Sequence, residues 1–151
     1  MKLIKAAYRG ASCKDSQEHL TERNDCTVRA LASASGIHYD QAHTLLKKHG
    51  RKNHCGAFFV TMLKAYTEAG FKLQSVNGTT GAARQSARIA NVLSSEGITL
   101  AKILPKLHTG SYIVNITGHA VAVVDGKLID TFDNSANKRV ISVFKKANNL
   151  K

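Results

Sequence analysis

Tryptophan is absent from the 151 residues, aromatic residues make up only 6%, and proline occurs once. With so few rings, a nucleic-acid face built on base stacking has little raw material. Cysteine occurs three times, at Cys13, Cys26 and Cys55, an odd number without the spacing of a disulfide framework. That pattern fits reduced thiols in a cytoplasm. No stretch approaches the roughly 18–20 consecutive apolar residues of a membrane-spanning helix, so no membrane partner is expected. The opening MKLIKAAYRG has a brief apolar patch broken by Lys5, too little for a secretory signal. Acidic side chains are scarce, 10 Asp and Glu against 22 Lys and Arg, for a net charge of +12. The excess is even: residues 1–75 carry 12 basic and 6 acidic groups, and residues 76–151 carry 10 and 4. No basic tail stands out, so the charge reads as a solvated basic surface with a loose attraction for nucleic acid.

What is present suits one soluble globular domain over 1–151. The hydrophobic fraction is 43% and the charged fraction 21%, ordinary proportions for such a domain. A chain of this length can bury a core without a metal or a disulfide. The first half reads as helical. Residues 24–36 open on Asn24 and Asp25, place Val28, Leu31 and Ala32 at helical spacing, and close on Gly36. A second helix is expected from Asp40 as N-cap to Gly50, with Ala42, Leu45 and Leu46 as its stripe. A third follows Cys55-Gly56 and ends at Gly70, with Phe58, Met62, Ala65 and Tyr66 on one face. Residues 71–76 alternate like a strand. The segment 77–88 is small, polar and glycine-containing, a loop or weak helix and the expected mobile region. Residues 99–107 predict a short helix disturbed by Pro105. Strand-like runs then follow at 111–116, 119–124, 127–132 and 139–144, with Asp125-Gly126 as a strong hairpin signal. Helices first and an antiparallel meander afterwards indicate an α+β fold.

Cys26 stands at the start of the first helix, where unpaired N–H groups and the helix dipole favour a thiolate and can also bind an oxyanion. His119 opens an otherwise apolar strand. A two-residue Asp125-Gly126 turn pairs Val124 with Lys127, Val121 with Asp130 and His119 with Phe132. Paired residues share a face, so Asp130 becomes a diagonal neighbour of His119, and Asp133 falls on the opposite face. A helix-start cysteine, a strand histidine and a strand aspartate make a nucleophile, a base and an orienting group. Cys55 is a rival nucleophile, because it too precedes a helix and has Arg51, Lys52 and His54 nearby. Arg29, one turn after Cys26, suits either substrate or an acidic partner. Seven histidines raise the question of zinc around His43, His49, His54 and Cys55. No CxxC, HxxxH or HExxH spacing supports it, and no metal or cofactor is expected.

The order and placement of these groups resemble papain-like cysteine peptidases in their small bacterial and viral versions, including double-glycine leader peptidases and NlpC-type cell-wall endopeptidases. More closely, the run from Asn24 through Ala32, with Gly36, Tyr39, Ala42-His43 and Gly50-Arg51-Lys52, and the run from Gly118 through Gly126, is similar to a family of small phage-encoded proteins regarded as papain-like. The resemblance covers about residues 20–52 and 110–143. It implies a papain-like α+β fold and a thiol peptidase or isopeptidase with Cys26 as nucleophile, His119 as base and Asp130 as orienter. It implies a peptide or protein substrate and a place in the cytoplasm of an infected bacterium. It also implies an oxyanion side chain upstream of the cysteine, often glutamine; Gln17 lies nine residues before Cys26, further than usual, and Asn24 is nearer. A deamidase or acyltransferase uses the same groups. A non-catalytic basic protein on the same scaffold, binding host protein or nucleic acid, is the alternative of a different class.

Overall fold

In the computed structural model the described residues are 3–5, 24–76, 93–94, 99–130 and 138–147. They form an α+β structure. Strand β1 (Leu3–Lys5) is followed by α1 (Cys26–Ser35), α2 (Tyr39–Lys48) and α3 (Phe59–Glu68). Then come β2 (Phe71–Val76), β3 (Leu93–Ser94) and α4 (Leu100–Ile103), which runs into a 3-10 turn (Leu104–Leu107). The chain ends in β4 (Ser111–Ile116), β5 (His119–Val124), β6 (Lys127–Asp130) and β7 (Val140–Lys146).

Local chemistry accounts for the boundaries. Helix α1 stops where Gly36 enters the left-handed region at φ 77° and its N–H bonds Ala32 O at 2.9 Å. Helix α2 starts two residues earlier than expected, because His38 rather than Asp40 caps it. His38 Nδ1 accepts the Asp40 N–H, and Gln41 Oε1 accepts the His38 N–H, both at 3.1 Å. Asp40 instead occupies the first turn, and Lys47 and Lys48 the last, where each complements the helix dipole. Phe58, expected on the buried face of α3, precedes the helix and is 84% exposed, while Ala65 and Tyr66 are fully buried. Pro105 falls within the 3-10 turn, which explains why α4 is only four residues long.

The expected meander holds for β4, β5 and β6 only. Among the described residues the sheet order is β1-β6-β5-β4-β7-β2-β3. Strands β6-β5-β4-β7-β2 are antiparallel, and β1 and β3 add parallel edges that the sequence reading did not anticipate. Strand β7 therefore crosses to the far side of β4. Five of the six residues of β4 are buried, and a buried strand needs partners for its N–H and C=O groups on both edges. The segments 6–23, 77–92, 95–98 and 131–137 lie outside the described residues, and with them the predicted loop at 77–88 and residues Cys13, Gln17, Phe132 and Asp133.

Both faces of the sheet are covered. Ile113, Ala120, Ala122 and Phe144 pack under α1, α2 and α3. Tyr112, Val114, Val121 and Val123 pack on the other face against α4 and the 3-10 turn. Double burial explains why β5 reads HAVAVV, apolar almost throughout rather than alternating. The small Ala120 and Ala122 let α1 lie close on β5, and this seats the first turn of α1 beside the first residues of β5.

The β5–β6 hairpin turns at Asp125 (φ 50°) and Gly126 (φ 80°), the double left-handed pattern of a type I′ turn. A Cβ on Gly126 would lie 3.3 Å from the His108 backbone. Gly126→Ala should therefore cost about 1–2 kcal/mol in urea unfolding. Gly56→Ala, at a position without positive φ or a close neighbour, should change stability by under about 0.5 kcal/mol.

Candidate active site

The site is built on the first turn of α1. The first bond of the helix ladder runs from the Arg29 N–H to Asp25 O at 3.0 Å, which leaves the N–H groups of Cys26, Thr27 and Val28 outside the ladder. Asp25 occupies the N-cap position but makes no side-chain cap bond. Its carboxylate accepts the Tyr39 hydroxyl at 2.7 Å and lies 3.0 Å from Arg29 Nε. Arg29 thus resolves to the acidic-partner reading of its role. Both residues are buried. Two further contacts hold the turn. Tyr66, fully buried, donates its hydroxyl to Thr27 O at 3.3 Å. Asn24, with φ 52°, donates from Nδ2 to His54 O at 3.0 Å.

Cys26, half-buried, meets His119 and Ala120 across this junction. Burial pushes the thiol up. The hydrogen bond and charge of His119, the N–H of Ala120 and the charge of Arg29 together outweigh it, so the thiol lies below its ordinary value. Burial raises Tyr66 well above the usual range, the charge of Cys26 adds to it, and the charge of Arg51 opposes it. Tyr66 thus stays a neutral donor to the helix carbonyl.

Beside the thiol lies a cavity of about 340 Å³. Cys26, Thr27, His119 and Asn115 line it together with apolar groups such as Met62 and Ala120. Asn115 pairs with Ala120 across the β4–β5 hairpin and donates from Nδ2 to Ser142 Oγ at 2.7 Å.

The sequence-derived residues divide as follows. Cys26 and His119 are brought together. The β5–β6 register pairs Val124 with Lys127, Val123 with Leu128 and Ala122 with Ile129, as the two-residue turn requires. Asp130 is the next residue of β6 and pairs with Lys5 of β1; its side chain lies outside the described residues. Asn24 donates to His54 O and is not among the residues that line this cavity. Cys55 is exposed in the turn before α3, four residues short of its first residue, and therefore lacks a helix-start position. His43 is buried and stacks on Tyr39 at 6.2 Å, and His49 bonds Glu68 at 3.0 Å. Among the described residues no group of three or more His, Cys, Asp or Glu side chains could hold a metal ion, and no helix is long and apolar enough to cross a membrane.

Sequence reasoning missed three contributors. The Ala120 N–H is a backbone donor and carries no residue signature. Tyr66 was read as core only. Asn115 was visible as a polar residue inside the apolar run SYIVNI, and the two-residue Thr117-Gly118 turn places it opposite Ala120, next to His119. Comparison with protein-family models, with curated proteins and with solved structures gives no match.

Arg29→Met would leave the Asp25 carboxylate buried beside a neutral side chain. The expected loss is about 3 kcal/mol in urea unfolding. Asp25→Asn combined with Arg29→Met should recover part of it, because the uncompensated charge is then gone.

Proposed function

We propose that the protein is a thiol hydrolase of amide bonds on a papain-like scaffold, a peptidase or isopeptidase with Cys26 as nucleophile, His119 as base and acid, and Asp130 as the group that orients His119. One observation carries the reading: the Cys26 thiol, at the N-terminus of α1, is hydrogen-bonded to His119 and held below its ordinary pKa beside an open cavity. The family resemblance supplies the phage origin and the infected-cell cytoplasm as part of this proposal, and Asp130 rests on the hairpin register.

His119 takes the Cys26 proton, and the sulfur attacks the carbonyl carbon. As the C–S bond forms, the carbonyl electron pair moves to oxygen, and the Cys26 N–H and neighbouring N–H groups at the helix start stabilise the oxyanion. The intermediate collapses, the C–N bond breaks, and His119 protonates the departing amine. Water, deprotonated by His119, then attacks the thioester. The C–S bond breaks, and the acid product leaves with Cys26 restored. In this mechanism the helix-start N–H groups are the oxyanion donors.

The net charge of +12 favours a second reading, a basic binding protein with an idle cysteine. A proteome-derived peptide library, with new N-termini read by mass spectrometry, separates the two. The hydrolase should generate termini that fall by a factor of at least about 10³ in Cys26→Ala and His119→Ala. Absence of cleavage and of acyl-thioester in the wild type, with salt-sensitive nucleic-acid binding that survives Cys26→Ala, would establish the binding protein instead.

A further inference from the structure

The rim of the Cys26 cavity continues into a strip of positive charge. Ile116, Gly118 and Ile141 line the cavity. The Thr117 N–H, between the first two, donates to Arg139 O at 3.1 Å, and Arg139 stands two residues before Ile141. Arg139 also bridges Thr99, the N-cap of α4. The next N–H, from Leu100, donates to Lys138 O at 2.9 Å, and Lys102 follows on that helix. Backbone pairing therefore gathers Lys102, Lys138 and Arg139 beside the turn that leads into His119. All three are exposed. Among the described residues no carboxylate forms an ion pair with any of them.

The described carboxylate side chains lie elsewhere. Asp25 is buried and engaged by Arg29. Asp40 and Glu68 line a separate groove along α2. Asp125 sits in the β5–β6 turn, at the other end of β5 from His119. None lines the cavity. Cations grouped without counter-charges raise the local potential and draw in an anion. A carboxylate suits them, since the guanidinium fork pairs with it in two places and the ammonium groups in one. A phosphate would meet the same charges. The cavity, however, offers no Phe, Tyr or Trp on which a base could stack, and the chemistry beside it is directed at amides. An extended peptide advances about 3.3–3.6 Å per residue, so a chain crossing the Thr117-Gly118 turn meets the strip about two to four residues from the bond under attack.

We propose that Lys102, Lys138 and Arg139 form a docking strip for acidic side chains of the peptide substrate, on the rim of the Cys26 cavity. It rests on the hydrolase reading above and narrows its substrate class.

The test cleaves the proteome-derived peptide library at low salt and reads both new termini. Wild type is compared with Arg139→Glu, Lys138→Glu and Lys127→Glu. Lys127 is exposed at the far end of the β5–β6 hairpin, so its reversal changes the net charge equally but away from the strip. Asp and Glu should be enriched at least about threefold at a position two to four residues from the cut. A cleaved acidic peptide should exceed its Asn or Gln counterpart in kcat/KM by at least about tenfold, a ratio that shrinks at about 0.5 M salt. Arg139→Glu and Lys138→Glu should each erase most of that ratio, whereas Lys127→Glu should keep it within about twofold. The two strip variants guard against either one failing to fold. Cleavage without acidic preference, or a preference that all three reversals weaken equally, overturns the strip and leaves the hydrolase standing. Absence of any cleavage overturns the hydrolase and the substrate strip with it; binding of a fluorescein-labelled single-stranded DNA that weakens in Arg139→Glu and not in Lys127→Glu would then assign these cations to nucleic acid.

Discussion

A buried carboxylate at the entrance of one helix governs this structure. Asp25 holds the N-cap position of α1 but does not cap it; Arg29 and Tyr39 engage its oxygens instead. The arrangement matters because a bare carboxylate next to Cys26 would oppose a thiolate, whereas the Arg29 charge favours one. It also joins α2 to the start of α1, as Tyr66 joins α3 through the Thr27 carbonyl. The first turn of α1 is thus fixed from two helices. The third constraint is the sheet, where Ala120 and Ala122 let α1 settle onto β5 and bring Cys26 to His119 at the strand's first position.

The site draws on backbone as much as on side chains. The Ala120 N–H faces the sulfur, and the unladdered N–H groups at the helix start are the donors proposed for the developing oxyanion. Such donors are fixed by the fold and need no reorganisation when charge appears. In the proposed mechanism these are the oxyanion donors, while Asn24 donates to the His54 carbonyl.

Much of this was legible in the residues, and the limits have physical causes. The Asp125-Gly126 turn set the β5–β6 register, because only glycine and a few polar residues accept two successive positive φ values. Gly36 marked the end of α1 for the same reason. Cys26 and His119 were visible as reactive residue types at a helix start and a strand start. The crossing of β7 was not visible, because edge choice depends on which strand lacks a partner and carries no local pattern. The cap of α2 was misplaced because the His38 imidazole does the work expected of the Asp40 carboxylate two residues on. Phe58 fell outside the core because hydrophobic spacing was extended past the true helix start. The edge strands β1 and β3 are too short to show periodicity. Asn115 was overlooked among its apolar neighbours, although polarity inside a buried strand is itself the signal.

The central claim is that His119 makes Cys26 a thiolate that an ordinary buried cysteine would not be. It is tested most directly by ultraviolet thiolate absorbance against pH, taken as the difference between wild type and Cys26→Ser. A lowered pKa keeps the thiolate at pH values where a free thiol, near 8.5, is protonated. The wild-type difference curve should therefore rise at lower pH than that of an ordinary free thiol. In a His119→Ala background, burial is left as the leading influence, and the curve should move above it. A Cys26 curve that coincides with an ordinary thiol, or that is unmoved by His119→Ala, would contradict the account.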